Sequence, residues 1–103
     1  VLDIDEHALF QLNRYVNDSR LRLLLGSVID KERVEMAVND VDIIFHLAAQ
    51  SLVKQSYLEP LKTFETNFNG TLNLIEISRK LNNLKSFNYT LCNNQFFSDL
   101  KTL

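Results

Sequence analysis

Apolar and polar positions change their period several times along the chain, and each change marks an element. Over residues 5–17 (DEHALFQLNRYVN), Ala8, Leu9, Leu12 and Val16 share one face at helical spacing. Asp3 or Asp5 can cap that helix by accepting from its first N–H groups. Residues 21–25 (LRLLL) predict a short strand, stopped by Gly26. Asp30 then caps a short helix, KERVEMAV over 31–38, with Val34, Ala37 and Val38 on its inner side. Residues 41–48 (VDIIFHLA) give the strongest strand signal. The run IIF is apolar on both faces, as the central strand of a parallel sheet requires. A loop follows over residues 49–59 (AQSLVKQSYLE). Pro60 fits the first turn of a long helix through about Leu81, because a missing N–H costs nothing there. Leu61, Phe64, Phe68, Leu72 and Ile75 form one apolar strip on it, and Leu74, Ile77, Ser78 and Leu81 form a second. A helix with that much apolar surface needs two partners, such as a sheet and another helix. Residues 85–91 (KSFNYTL) predict a last strand, and the tail over 93–103 has no clear period.

The predicted order is α-β-α-β-α-β. Alternation without hairpin signals implies right-handed crossovers and a parallel sheet, so the expected class is α/β. No internal repeat, low-complexity linker or second domain interrupts the pattern.

Composition narrows the functional classes. The 103 residues suffice for one small domain, and 46% hydrophobic content supports a packed core. Eleven basic residues against 13 acidic ones leave a net charge of −2. A weakly acidic surface speaks against nucleic acid or an anionic membrane, both of which need a basic patch. No apolar run approaches a membrane span, and VLDIDEHALF lacks a basic region before an apolar stretch. The single cysteine, Cys92, cannot form an internal disulfide, so a reducing, cytoplasmic setting is the simplest expectation. Three N-x-S/T triplets, at Asn17, Asn69 and Asn88, read as chance in an Asn-rich chain. There are only two glycines and one proline, and the first residue is not Met. An average chain carries about 7% glycine for its turns. Both features lead to the expectation of a fragment.

No self-contained catalytic machinery is visible. His7 and His46 have no Cys or carboxylate at metal-ligand spacing, so no metal site is expected. His46, inside a strand, reads as a hydrogen-bonded core histidine, and Cys92 as an inert thiol near a strand end. The pairs Asp3/Asp5 and Asp40/Asp42 read as cap and turn residues. No Gly-rich phosphate loop occurs. What remains are two strand ends, Gly26-Ser27-Val28-Ile29-Asp30 and Leu47-Ala48-Ala49-Gln50-Ser51. Ligands of parallel α/β sheets bind at the carboxyl ends of strands. Small residues after the second of these let backbone lie against a flat or charged ligand.

The stretch Val41 to Lys80 carries a strand ending HLAAQS, then SYLEP, TFETN, NGT and LIE at fixed spacing. This resembles the middle of the extended short-chain dehydrogenases/reductases, the NAD-dependent epimerase/dehydratase family. Within it the wording is most similar to CDP-glucose 4,6-dehydratases, with the GDP-mannose and dTDP-glucose 4,6-dehydratases close behind. The segment Leu23 to Val38 resembles the family's G-D-[ILV]-R-D stretch, so the resemblance covers residues from about 20 to 92. It implies a partial Rossmann-like doubly wound sheet in a three-layer α/β/α arrangement. The family's first strand and its G-x-x-G-x-x-G loop would precede residue 1. The expected organisation is therefore a partial NAD(P)-binding Rossmann domain over 1–103, with a divergent tail from 93.

The resemblance assigns the cofactor-binding positions. Ser27 and Val28 would lie at the adenine ring, where the family usually has Asp at the first. Leu47, Ala48 and Ala49 would pass under the adenosine ribose and pyrophosphate. Gln50 and Ser51 would face the diphosphate and the substrate side. Thr66 would lie near the cofactor, Asn67 would hold the neighbouring strand, and Gly70 would let the helix approach the sheet. Asp3 is a candidate for a ribose-binding acid, which would favour NAD over NADP. The departures are at the last strand. Cys92 stands at the family's catalytic Ser/Thr position, and Asn93 at that of the Asp acting as acid in dehydration. An amide cannot serve as a general acid. No Y-x-x-x-K pair occurs in the chain. Two expectations stand side by side: a piece of an NAD-dependent nucleotide-sugar dehydratase or epimerase, inactive alone, or a non-catalytic half-Rossmann binding or assembly module. The family homodimer forms through the 60–81 helix, so self-association is expected. The strip left uncovered is expected to be Leu74, Ile77 and Leu81.

Overall fold

The computed structural model describes residues 1–50 and 52–89. Two parallel ladders organise it. The first pairs β1 (Leu2–Asp3) with β2 (Leu24–Leu25), Leu2 opposite Leu24. The second pairs β3 (Ile43–His46) with β4 (Ser86–Tyr89), Ile44 opposite Phe87. The parallel sense expected for the strands in 41–48 and 85–91 is therefore observed. The strand at β1 was not anticipated, since two residues are too short to show a period.

Helix α1 (Glu6–Tyr15) starts where Asp5 accepts from the N–H groups of His7 and Ala8, at 2.9 and 3.3 Å. Helix α2 (Lys31–Val38) begins at the Asp30 cap, which accepts from Arg33 N–H. It ends in a turn where Asp40 holds φ at 58°, a left-handed conformation that Asp tolerates better than most side chains. Residues 49–59, read from the sequence as loop, contain a further helix, α3 (Val53–Leu58). Its only buried residue is Ser56, so hydrophobic spacing could not reveal it.

The long helix starts at Pro60 as expected but is not continuous. Helix α4 (Pro60–Phe64) passes into a π-helical turn, Glu65–Asn69, and then into α5 (Gly70–Arg79). Gly70 N–H reaches back five residues to the Glu65 carbonyl. Such turns insert one residue into the helix and re-aim the side chains around it.

The core joins Val28, Val34, Val38, Ile44, Leu74 and Ile77, flanked by Leu2, Val41, Leu81, Leu84 and Phe87. Fully burying an aliphatic side chain of this size contributes roughly 1.5–3 kcal/mol, and Val34 is wholly buried. Two expectations need correction here. Leu74 and Ile77 are buried, at 6% and 9% exposure, and Leu81 packs against the same cluster. The strip of Leu61, Phe64, Phe68, Leu72 and Ile75 faces outward instead, each residue between 47% and 79% exposed. The reason is Gly70, whose missing side chain lets α5 settle on Val28 and turns positions 74 and 77 inward. The second correction concerns β3. Ile44 and His46 are buried, but Phe45 is 71% exposed and Ile43 about half, so only one face of this strand is covered.

Candidate functional site

The carboxyl ends of β1, β2 and β3 open into one cavity of about 1350 Å³. Asp3 and Ile4 enter it from β1, Gly26 to Ile29 from β2, and Leu47 to Ala49 from β3. Its walls also include both ladder edges, Leu2 on one side and Ile43 to His46 on the other. Of the positions expected to hold a cofactor, Ser27, Val28, Leu47, Ala48, Ala49 and Thr66 line this space. Gln50 and Asn67 do not; they bond to each other behind it. Ser51, Cys92 and Asn93 lie outside the described residues.

The strand-end loops are held by amide side chains of the long helix. Gln50 N–H donates to Asn67 Oδ1 at 2.7 Å, and Asn67 Nδ2 donates back to the Gln50 carbonyl at 3.3 Å. One side-chain amide thus mimics the two-way pairing of a neighbouring strand. Asn73 Nδ2 donates to the Val28 carbonyl at 3.1 Å and fastens the loop after β2 in the same way. Asn67 was expected to hold the neighbouring strand; it holds the loop after β3 instead, at Gln50, four residues beyond the strand end. Gly70 makes its close approach to Val28 in the loop after β2 rather than to a strand: a Cβ there would meet Val28 Cγ2 at 2.4 Å. Asn73 was missed by sequence reasoning; the one available signal was a polar residue on a helix face bounded by Gly70, Leu74 and Ile77.

The polar side chains lining the cavity are Asp3, Ser27, His46, Glu59, Lys62, Glu65 and Thr66. Asp3 ends β1 with Oδ1 accepting from Asp5 N–H at 2.9 Å. The Ser27 hydroxyl accepts from Ile29 N–H at 3.3 Å and keeps its own proton to donate. His46, 5% exposed, bonds through Nε2 to Thr71 Oγ1 at 2.8 Å, which matches its reading as a hydrogen-bonded core histidine. Thr71 Oγ1 in turn donates to the Asn67 carbonyl at 2.8 Å. The fit to a dinucleotide is uneven. Small side chains suit a flat adenosine, but no lysine-rich or glycine-rich cradle for a diphosphate stands among these lining residues.

Burial pushes the His46 imidazole below its ordinary range. The unfolded chain then binds the proton first on acidification. The stability contributed by neutral His46 is therefore complete above the ordinary imidazole range. It is lost as pH falls through that range towards the depressed folded value. The urea midpoint should drop between about pH 7 and pH 5 more steeply for the native chain than for His46→Gln, whose amide still donates to Thr71. Equal slopes in the two proteins would contradict this account.

Comparison with known proteins agrees with the family resemblance and the fold. The profile of the family described as GDP-mannose 4,6 dehydratase matches residues 5–95. An uncharacterized membrane protein of Methanocaldococcus jannaschii is 42% identical over 78 residues, 76% of this chain and 23% of its own length. A UDP-N-acetylglucosamine 4,6-dehydratase (inverting) of Campylobacter jejuni is 35% identical over 72 residues, 70% of this chain and 22% of that protein. The CDP-glucose 4,6-dehydratase of Salmonella typhimurium is 36% identical over 64 residues, 60% of this chain and 18% of that enzyme. Among solved structures, the UDP-glucose 4-epimerase of Bifidobacterium longum in complex with NAD+ and UDP superposes with a TM-score of 0.71. At 23% identity that likeness, over 86% of this chain and 28% of the epimerase, shows the Rossmann-like fold. The chain spans less than a quarter of the curated relatives it matches. No helix among the described residues is long and apolar enough to cross a membrane.

Proposed function

The chain belongs to the GDP-mannose 4,6 dehydratase family, and from that premise we propose that it is a segment of the cofactor-binding domain of a nucleotide-sugar 4,6-dehydratase. The observation that carries this reading is the cavity that the ends of β1, β2 and β3 share, lined by Ser27, Val28 and Leu47 to Ala49. NAD, when bound in such an enzyme, takes a hydride from the sugar and returns it. In this chain, Ser27 and Val28 would border the adenine, and Ala48 and Ala49 would let backbone approach the ribose and diphosphate. Asp3, at the end of β1, has the chemistry to accept from ribose hydroxyls, which favours NAD over its 2′-phosphorylated form. The cleft between β1 and β3 is where the family's first strand and Gly-rich loop would complete the sheet. We read the substrate as CDP-glucose from the wording of residues 41–80. The relatives acting on other nucleotide sugars make those the alternatives. We read the site of action as cytoplasmic, the simplest setting for a chain whose single cysteine has no partner within it.

A second reading is favoured by Cys92 and Asn93, which replace the hydroxyl and acid of the family's last strand end. It makes the chain a non-catalytic half-Rossmann module. Both readings expect no turnover of any nucleotide sugar by these 103 residues, because they contain neither Y-x-x-x-K nor a diphosphate cradle. A chimera separates the functional claim from that trivial result. Residues 1–89 would replace the matching stretch of the Salmonella CDP-glucose 4,6-dehydratase. Retained NAD binding by calorimetry, with measurable turnover of CDP-glucose, is the expected outcome. A soluble, folded chimera that binds no NAD would overturn the proposal.

A further inference from the structure

We propose that His46 and Thr71 are positioning residues that hold the Asn67 clamp on the loop after β3 through one continuous chain of hydrogen bonds. The inference deepens the cofactor reading above, and its structural half can be tested without any cofactor.

The direction of each bond follows from donor accounting. Thr71 has one hydroxyl proton, and its distance of 2.8 Å to the Asn67 carbonyl gives that proton a destination. A carbonyl can only accept. With that proton directed to Asn67, Thr71 Oγ1 accepts from His46 Nε2 at 2.8 Å, the arrangement of the tautomer with its hydrogen on Nε2. The chain then reads His46 Nε2–H to Thr71 O–H to Asn67 O=C. From the same residue, Asn67, the side chain continues to both backbone groups of Gln50. A side chain of β3 is thus linked through α5 and the π-helical turn to the loop that leaves β3 four residues later.

The link bridges the π-helical turn, from Thr71 after it to Asn67 within it. Within it the helical backbone is one residue out of its α register, shown by the Gly70 to Glu65 bond. That register puts Thr66 on the cavity wall and Asn67 against Gln50. An α-helical register would rotate both away. Thr in a helix has two accessible rotamers, only one of which bonds back to the preceding turn. Donation from His46 selects that rotamer and polarises the hydroxyl, which strengthens its bond to Asn67. His46 is buried, so water does not compete for Nε2.

The test compares Thr71→Val, which keeps the branched shape without the hydroxyl, with Thr71→Ser, which restores it. Amide hydrogen exchange of the full chain is read residue by residue by NMR. In Thr71→Val the Gln50 amide should exchange about tenfold faster, while the Leu74 to Ser78 amides stay unchanged. Thr71→Ser should recover most of the protection. If Thr71→Val does not fold, the nitrogen spectrum of native His46 serves instead, with a protonated Nε2 and a bare Nδ1 expected. Unchanged Gln50 exchange in a folded Thr71→Val chain, or a proton on Nδ1, would overturn the proposal. In the chimera, Thr71→Val should weaken NAD binding several-fold, with rescue by Thr71→Ser. Loss of Gln50 protection in a protein that never binds NAD would retain the network and remove only the cofactor reading.

Discussion

Replacing Gly70 by valine is expected to cost about 3 kcal/mol of stability or more, among the largest effects of any single substitution outside the fully buried core. An added Cβ would sit 2.4 Å from Val28 Cγ2 and 3.2 Å from Val28 Cβ. Neither side can yield cheaply. Val28 is buried in the core, and branching at its Cβ restricts the rotamers it can take. The helix must therefore lift away from the loop after β2. Lifting it would also break the Asn73 bond to the Val28 carbonyl and move Leu74 and Ile77 from their places in the core. Valine recovers only a few tenths of a kcal/mol of helix propensity over glycine, too little to offset this. A double-mutant cycle with Val28→Ala makes the argument specific. The two substitutions together should be less destabilising than their sum, by about 0.5–3 kcal/mol in urea unfolding. Strict additivity, or a Gly70→Val chain as stable as the native one, would show that the close approach carries no energetic weight.

This contact also shows where sequence reasoning reaches its limit. The two short-range cap signals, Asp5 and Asp30, were legible because each acts within three residues of itself. The strand at 43–46 and the helix start at Pro60 were legible for the same reason: runs of apolar residues and a fixed φ are local properties. The strips on the long helix were not. The strip from Leu61 to Ile75 is the more apolar of the two, since the other includes Ser78, yet the second turns inward because Gly70 meets Val28, 42 residues earlier in the chain. The π-helical turn compounds this, since a one-residue register change within 65–69 rotates everything after it relative to Pro60. At the candidate site, the two strand ends were singled out by the rule that ligands meet parallel sheets there, while the individual roles expected from Ser27 to Thr66 came from family wording. Their short side chains carry almost no local signal. His46 was legible as a hydrogen-bonded core histidine, but its partner Thr71, and the bond from Asn73 to the loop after β2, emerge only when the fold sets these groups within 3.1 Å of their partners.

The outward strip carries the other large expectation, that the chain associates with itself through the 60–79 helix. Leu61, Phe64, Phe68, Leu72 and Ile75 lie along roughly 20 Å of helix at 1.5 Å per residue. Phe64 and Phe68 stack with ring centroids 5.0 Å apart, giving the strip a preorganised aromatic centre. The charges that border it, including the Arg79–Glu76 pair at 2.6 Å, are exposed and form a polar rim. Five such side chains expose a few hundred Å² of contiguous apolar surface, near the upper end for a monomer. At roughly 25 cal/mol per Å², burying that strip on both copies yields several kcal/mol before the cost of association. The paired change Phe68→Lys with Leu72→Glu should leave folding intact, because both residues are about half exposed. It should convert the dimer to a monomer in sedimentation velocity at micromolar concentration. Leu74→Glu provides the contrast: that residue is in the core, so this change should unfold the chain rather than dissociate it. Phe45 on the uncovered face of β3 offers a competing route to association. Phe45→Lys should therefore leave the dimer in place. A native chain that sediments as a monomer at high micromolar concentration, or a dimer that survives at Phe68 and Leu72 but dissolves at Phe45, would transfer the interface from the helix to the sheet or remove it.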